Sequence, residues 1–219
     1  MGKIRVVCIS DTHTFHKSLV IPAGDILIHA GDFTFKGREE EVRSFGEWFR
    51  AQPHKFKCLI AGNHDLSFEK NLAQARAWLR GDVEDPSFIY LQDQTAYLDI
   101  DGRRIQVYGS PWQPEFGNWA FNLKRGVELK KKWDKIPVDL DILITHGPPA
   151  SILDMCDHGE RVGCEELYEA VKRVNPKLHV FGHIHEGYGI EVIGDTTFVN
   201  ASNCTVRYNP SNEPIVIEI

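Results

Sequence analysis

Short apolar, β-branched runs recur at 4–9, 26–29, 56–60, 88–91, 96–100, 105–108, 142–145, 178–181, 189–192, 197–200 and 215–218, and five of them lead straight into a polar cluster. Such runs predict strands. The earlier ones are continuous rather than alternating, as a sheet covered on both faces requires. Between them, 39–50 puts Val42, Phe45, Trp48 and Phe49 on one helical face. The segment 72–79 does the same with Leu72, Ala75, Trp78 and Leu79, and 164–174 with Leu167, Val171 and Val174. The fold class expected is α/β (α+β), a two-sheet β-sandwich flanked by helices. Neither a linker nor a repeat interrupts the pattern, so 1–219 reads as one domain. The irregular stretch at about 111–137, aromatic and then basic, reads as an insertion or lid.

A chain of 219 residues with 42% hydrophobic and 26% charged residues can bury a core without staples, which excludes disorder and fibrous repeats. Its five cysteines (Cys8, Cys58, Cys156, Cys164, Cys204) contain no C-x-x-C pair, so they read as small buried hydrophobes rather than a disulfide set or a thiolate zinc site. Twenty-five basic against 31 acidic residues give a net charge of -6, and the densest basic run, 130–132, reads as a solvated helix face. General DNA binding is therefore not expected. No apolar run reaches the roughly 18 residues of a membrane span, and the N-terminus carries no leader pattern, so a cytoplasmic location without membrane contact is expected.

The polar clusters carry the chemistry. Asp11-Thr12-His13 follows the first run, Gly31-Asp32 the second, and Gly62-Asn63-His64-Asp65 the third. His146-Gly147 follows 142–145, and Gly182-His183-Ile184-His185 follows 178–181. Strand ends of this kind converge on one edge of an α/β sheet, where ligands bind. Pooled, they offer two carboxylates, a carboxamide and at least four imidazoles, a donor set for Mn²⁺, Fe²⁺, Co²⁺ or Zn²⁺ rather than Ca²⁺. Residues two apart on an extended segment point the same way, so Asp11 with His13, and His183 with His185, can each approach a common centre. Seven donors exceed one ion's needs and suit two ions roughly 3.5–4 Å apart sharing a carboxylate. Taken singly, each motif has an ordinary reading: a turn, a helix cap, a loop histidine. Together and in order they define a metal site.

The ordered set D-x-H, G-D, G-N-H-[DE], H and G-H-x-H resembles the calcineurin-like metallophosphoesterases along essentially the whole chain. The segments Gly31-Asp32-Phe33-Thr34, Gly109-Ser110-Pro111-Trp112, Trp119-Ala120-Phe121-Asn122 and Thr145-His146-Gly147-Pro148-Pro149 are similar to its small metallophosphoesterase-domain-containing branch. Some members of that branch lack the first histidine of G-H-x-H, which is kept here as His183. The resemblance implies a metallophosphoesterase-like four-layer fold. It also implies one metal held by Asp11, His13, Asp32 and His185, and a second held by Asp32, Asn63, His146 and His183. His64 would then face the substrate phosphate. Manganese is the favoured metal, with Fe²⁺, Zn²⁺ or Co²⁺ as alternatives.

Charge arithmetic agrees with phosphoester chemistry. Two divalent ions and two aspartates leave about +2 to meet negative charge building on a phosphoryl group, and Asn63 ligates without lowering it. A hydroxide between the ions, its pKa brought toward about 7, would attack phosphorus, and His64 would protonate the leaving oxygen. In the family's protein-phosphatase branch an aspartate three residues after the bridging one orients that histidine. Here the position is Phe35, and protein phosphatase activity is disfavoured. Asp65 could substitute, although fixing its own turn is the better reading.

The substrate is expected to be a small phosphodiester, nucleotide-like and conceivably cyclic, as the resemblance implies. Among Tyr108, Trp112, Phe116, Trp119 and Phe121, an aromatic at the cleft lip could stack a base, with Trp112 chosen as substrate-binding beside Asn63 and His64. Arg161, with His158, lies in the loop after His146 and could reach a phosphate or ribose. Phosphomonoesterase activity, or nucleoside-monophosphate binding with little turnover, is the alternative. A repair-type exonuclease is disfavoured by charge and by the lack of a capping domain.

Overall fold

The structure, a computed structural model, describes residues 2–219. Its strands in chain order are β1 (Arg5–Ile9), β2 (Ile26–His29), β3 (Phe56–Leu59), β4 (Phe88–Tyr90), β5 (Gln94–Ile100), β6 (Arg103–Ser110), β7 (Gln113–Pro114), β8 (Asn122–Leu123), β9 (Ile142–Thr145), β10 (Leu178–Phe181), β11 (Gly189–Ile193), β12 (Thr196–Asn200) and β13 (Ile215–Glu218). The helices are α1 (Glu39–Arg50), α2 (Leu66–Lys70), α3 (Leu72–Arg80), α4 (Val127–Trp133) and α5 (Glu165–Val174).

One sheet has the order β13-β1-β2-β3-β4 and the other β11-β12-β10-β9-β6-β5. Strands β1 to β4 are parallel, as are β6, β9, β10 and β12, while β5, β11 and β13 pair antiparallel at the edges. Side-chain alternation sorts the apolar runs into two cores. Val6, Cys8, Ile26, Ile28 and Cys58 face Val107, Ile142, Ile144, Leu178 and Val180 between the sheets. Val7, Ile9, Leu27 and Leu59 point the other way, onto Val42, Phe45 and Phe49 of α1 and Leu79 of α3. Leu143 and Phe181 meet Leu129, Trp133, Leu167 and Val171 of α4 and α5. The result is the expected four layers, helix, sheet, sheet, helix, with each buried Leu, Ile or Phe contributing roughly 1.5–3 kcal/mol.

Local signals fix the helices. In α1 the carboxylate of Glu41 accepts from the amide of Arg38, three glutamates fill the first turn and Arg50 the last, complementing the helix dipole. At the start of α5 the Cys164 thiol accepts from Leu167 N, and Asn175 closes the helix with a left-handed φ of 48°.

Neither α2 nor the two-residue β7–β8 ladder is long enough for a periodic pattern, and α4 is announced only by the basic run that it carries. Within 111–137, α4 belongs to the outer helical layer, and only part of the basic run is solvated. Lys132 pairs with Asp93 at 3.0 Å and lies over Trp112, whereas Lys130 and Lys131 are exposed. The preceding part is docked: Ala120 N donates to Asn63 O (3.2 Å) and Phe121 N to Glu69 Oε1 (2.8 Å). All five cysteines are free thiols, four of them buried.

Candidate metal centre

Five strand ends, of β1, β2, β3, β9 and β10, meet at one edge of the sandwich. The two sheets are stitched there by a Ser10–Ser202 bridge and by Asn203 N donating to Ser10 O. To turn side chains back over that edge the chain must bend sharply. Asp11, His13, Asp32 and His183 all have positive φ, 51°, 40°, 57° and 68°. Such backbone costs on the order of 1–3 kcal/mol per residue and persists where the surroundings impose it.

The side chains form three overlapping groups able to hold a metal ion, their donor atoms within 4.8 Å of one another: Asp11, His13 and His185; His13, Asp32 and His64; Asp32, His146 and His183. Asp32 belongs to two of them. Its Oδ1 accepts from His64 N (2.8 Å), which leaves Oδ2 facing Nε2 of His146 (3.4 Å), His13 (3.9 Å) and His64 (4.0 Å). Asn63 Oδ1 is 2.9 Å from His146 Nε2, so Asn63 joins the third group.

Whether these residues suit a cation is decided by their free donor atoms. Asp11 Oδ2 accepts from His183 N and the Ser202 hydroxyl, both at 3.0 Å. Its Oδ1 is buried, without a hydrogen bond of normal geometry, and faces His185 Nε2 at 3.3 Å. His185 donates from Nδ1 to Thr205 O, and His146 from Nδ1 to Ala30 O, each at 2.9 Å. Backbone carbonyls thus fix both tautomers and aim both Nε2 lone pairs inward, the usual support of a metal-bound imidazole. The donor set fits divalent metal ions.

Electrostatics describe what the metal-free site does instead. Burial opposes charge on His146 and His185, yet the Asp32 and Asp11 carboxylates hold both imidazoles up to about 9. Burial likewise opposes ionisation of Asp11, but His185 keeps its carboxyl well below the usual range. Burial presses His183 down to about 3 and His13 to about 4. Protons thus stand where cations would.

Asp65 does not reach the His64 ring. It accepts from Gly62 N (2.8 Å), Asp32 N (3.0 Å), Thr34 N (3.0 Å) and Thr34 Oγ1 (2.7 Å), and so ties together the turns that carry Asp32 and Asn63. Nδ1 of His64 instead meets Phe35 O at 3.0 Å.

A cleft of about 190 Å³ opens over the site, lined by Asp32, Asn63, His64, His183 and His185 with Phe116, Glu186, Val206 and Tyr208. Neither Trp112 nor Arg161 lines it. Trp112 gives its Nε1–H to Asp93 Oδ2 (3.1 Å) and packs edge-on to Phe121. Arg161 is held at 2.6 Å by Asp154 beside an adjoining groove, and His158 is exposed next to Glu160. A larger cavity of about 510 Å³, bordered by Arg50, Arg76 and Phe88, holds none of the expected site residues. Conversely, Ser202 and Tyr208, whose ring sits 4.8 Å from that of His13, come from a C-terminal stretch with no motif. Phe116, which lines the cleft, and Trp119, stacked on His64 at 4.1 Å, did have a signal, their place in the aromatic segment.

Fold and site together define a metal-dependent phosphoester hydrolase. The chain belongs to the calcineurin-like phosphoesterase family, whose pattern matches residues 4–187. It is 46% identical to human metallophosphoesterase domain-containing protein 1 over 100% of this chain and 72% of that protein. It is also 39% identical to UPF0046 protein T07D4.2 of Caenorhabditis elegans, covering 99% of this chain and 60% of the relative. Among solved structures, the phosphopantetheinyl hydrolase of Mycobacterium tuberculosis superposes with a TM-score of 0.63 over 97% of this chain and 96% of its own. At 16% identity that is a likeness of fold. Among the described residues no helix is long and apolar enough to cross a membrane.

Proposed function

We propose that the protein is a phosphodiesterase with a dinuclear metal site, acting on a small nucleotide-like diester. Asp11, His13, Asp32 and His185 would hold one ion and Asp32, Asn63, His146 and His183 the other, with Asp32 common to both sets. When bound, the ions supply Lewis-acid polarisation of the phosphoryl oxygens and acidify a water for attack on phosphorus. Manganese is the favoured metal on the family resemblance, while the thiolate-free set of imidazole and carboxylate donors also admits Fe²⁺, Zn²⁺ or Co²⁺.

The chain's own groups do the rest. Asn63 completes a ligand set without adding negative charge. His64, its Nδ1–H given to Phe35 O, presents Nε2 to the cleft, where as the imidazolium it would donate to a phosphate oxygen and pass the Nε2 proton to the leaving oxygen, returning to the neutral Nδ1–H form. The observation that carries diester over monoester is the cleft lining: no lysine or arginine lies among its residues, while Phe116, Val206 and Tyr208 offer an apolar wall. A monoester dianion calls for additional cations. A diester carries one charge and a second substituent that such a wall can cover.

The test is hydrolysis of bis-p-nitrophenyl phosphate beside p-nitrophenyl phosphate by metal-free protein reloaded with Mn²⁺, Zn²⁺ or Mg²⁺. Metal-dependent preference for the diester is expected. Faster monoester cleavage would assign a phosphomonoesterase, and loaded metal with no turnover of either ester would assign a binding protein.

A further inference from the structure

No carboxylate accepts from Nδ1 of His64: Phe35 stands three residues after Asp32, where the protein-phosphatase branch has an aspartate, and Asp65 is consumed by its turn. A single hydrogen bond, Nδ1 to Phe35 O, sets which way the imidazole is flipped but leaves its plane free to swing about that contact. The indole of Trp119 lies against that plane. The two rings are stacked, centroids 4.1 Å apart at 24°. On the other side of His64 the ring of His13 stands nearly edge-on, 4.7 Å away at 73°.

Trp119 is itself immobilised. The Lys36 ammonium lies 3.8 Å from its ring centre. A lysine nitrogen and an imidazole cannot both sit about 4 Å from one ring on the same face without colliding, so they occupy opposite faces. The next residue, Ala120, donates its amide to Asn63 O, which ties the Trp119 backbone to the residue preceding His64. Beyond it, Phe121 is buried in the core under α1. With one face on His64 and the other under Lys36, Trp119 has no free face for a substrate ring, and the base-stacking role considered for this aromatic segment does not fall to it.

We infer that Trp119 is a positioning residue: stacked on His64 and held from behind by Lys36, it fixes the imidazole plane in the absence of an orienting carboxylate. The functional consequence rests on the proposed role of His64 as the acid for the leaving group. Misplacing an acid matters most where the leaving group most needs a proton, so the loss should grow from p-nitrophenolate to phenolate.

Two readouts separate the inference from the reading beneath it. The first needs no turnover: ¹³C relaxation of the His64 ring carbons in the Zn²⁺-loaded protein should show an imidazole as rigid as the backbone that carries it. In Trp119→Ala the ring should gain mobility about its contact with Phe35 O, while Trp119→Phe keeps it rigid. The second is steady-state kinetics of the Mn²⁺-loaded protein on bis-p-nitrophenyl phosphate and diphenyl phosphate. Trp119→Ala should lower kcat at least tenfold on diphenyl phosphate and less on the nitrophenyl ester, with KM within threefold, and Trp119→Phe should recover most of it. Lys36→Met should show a smaller loss in the same direction. An equally rigid His64 ring in Trp119→Ala overturns the inference whatever the activity, as does a raised KM with unchanged kcat, which would make Trp119 a substrate contact. Full turnover in His64→Ala would remove the acid reading, and the relaxation measurement would still decide the positioning.

Discussion

Nε2 of His185 stands 3.3 Å from Oδ1 of Asp11, and with Nδ1 of His185 donated to Thr205 O the neutral imidazole meets the carboxylate lone pair to lone pair. A cation between them, proton or metal, removes the repulsion. Metal-free protein should therefore bind Mn²⁺ or Zn²⁺ with a rise in melting temperature, about 2.7 kcal/mol of stabilisation at a free concentration one hundred times the Kd. His185→Ala should retain less metal after dialysis than the parent, which is expected to hold two ions per chain by elemental analysis. Parent-level metal in that variant would remove His185 from the ligand set.

His64 lies beside Asn63, a proposed ligand, but turns its ring nitrogens to Phe35 O and to the cleft. His64→Ala is expected to lower kcat by about 10²–10⁴ with no change in metal content, the range of a lost general acid. Elemental analysis and kinetics on the same sample make the comparison; loss of metal alongside turnover would make His64 a ligand instead.

Much of the site was legible because its chemistry sits immediately after strand-like runs: Asp11, Asp32, Asn63, His146 and His183 each lie within a few residues of a strand end, and parallel strands bring such ends together. The helices of α1, α3 and α5 were legible for the same reason, a periodic apolar face. What surrounds the site was not. Ser202 and Tyr208 reach Asp11 and His13 across about 190 residues of sequence with no spacing rule to announce them. The positive φ values of Asp11, His13, Asp32 and His183 occur without the glycines that normally signal them. Residue type alone recommends Trp112 and Arg161, and contacts to Asp93 and Asp154 engage them outside the cleft.

Gly62 leaves no room for a side chain. A Cβ there would fall 2.3 Å from Asp32 Oδ1, 2.5 Å from Asp32 N and 2.6 Å from His146 Cε1. Gly62→Ala should therefore displace the shared carboxylate, weakening metal binding roughly 10–100-fold, as loss of a ligand's support does. Competition with a coloured chelator measures it; an unaltered affinity would show that Asp32 adapts without cost.

Asp65 satisfies three buried amides and a hydroxyl. Asp65→Ala leaves them without acceptors, so urea unfolding of the metal-free protein should show a loss on the order of 3–5 kcal/mol. Asp65→Asn keeps an acceptor oxygen and should lose less. Equal losses in the two variants would mean that one acceptor oxygen cannot hold the turn any better than none.

The stability of the metal-free protein should peak near pH 6.5, because buried groups pull in opposite directions on either side. His29 gives Nε2–H to Thr12 Oγ1 and accepts from Gly31 N, His179 donates to Thr145 Oγ1, and burial presses both down to about 3. Burial similarly lowers His13 and His16 to about 4 and His183 to about 3. Below pH 6.5 the unfolded chain takes protons that these folded imidazoles refuse, so stability falls with acidification, each contributing about 1.4 kcal/mol per pH unit while it remains neutral. Asp65, pushed up to about 8 by burial and by Asp32, opposes them with a single proton. Above pH 6.5 the sign reverses. His146 and His185, held up to about 9, and Asp65 keep protons that the unfolded chain has released, and their contribution is lost as pH rises through those values. Zn²⁺ requires neutral imidazoles at His146 and His185, so loading should flatten the alkaline fall and leave the His29 and His179 part of the acid limb in place. Thermal melts from pH 4 to 9 with and without Zn²⁺ test this, and a metal-free protein that keeps gaining stability from pH 6.5 to 9 would contradict protonated His146 and His185.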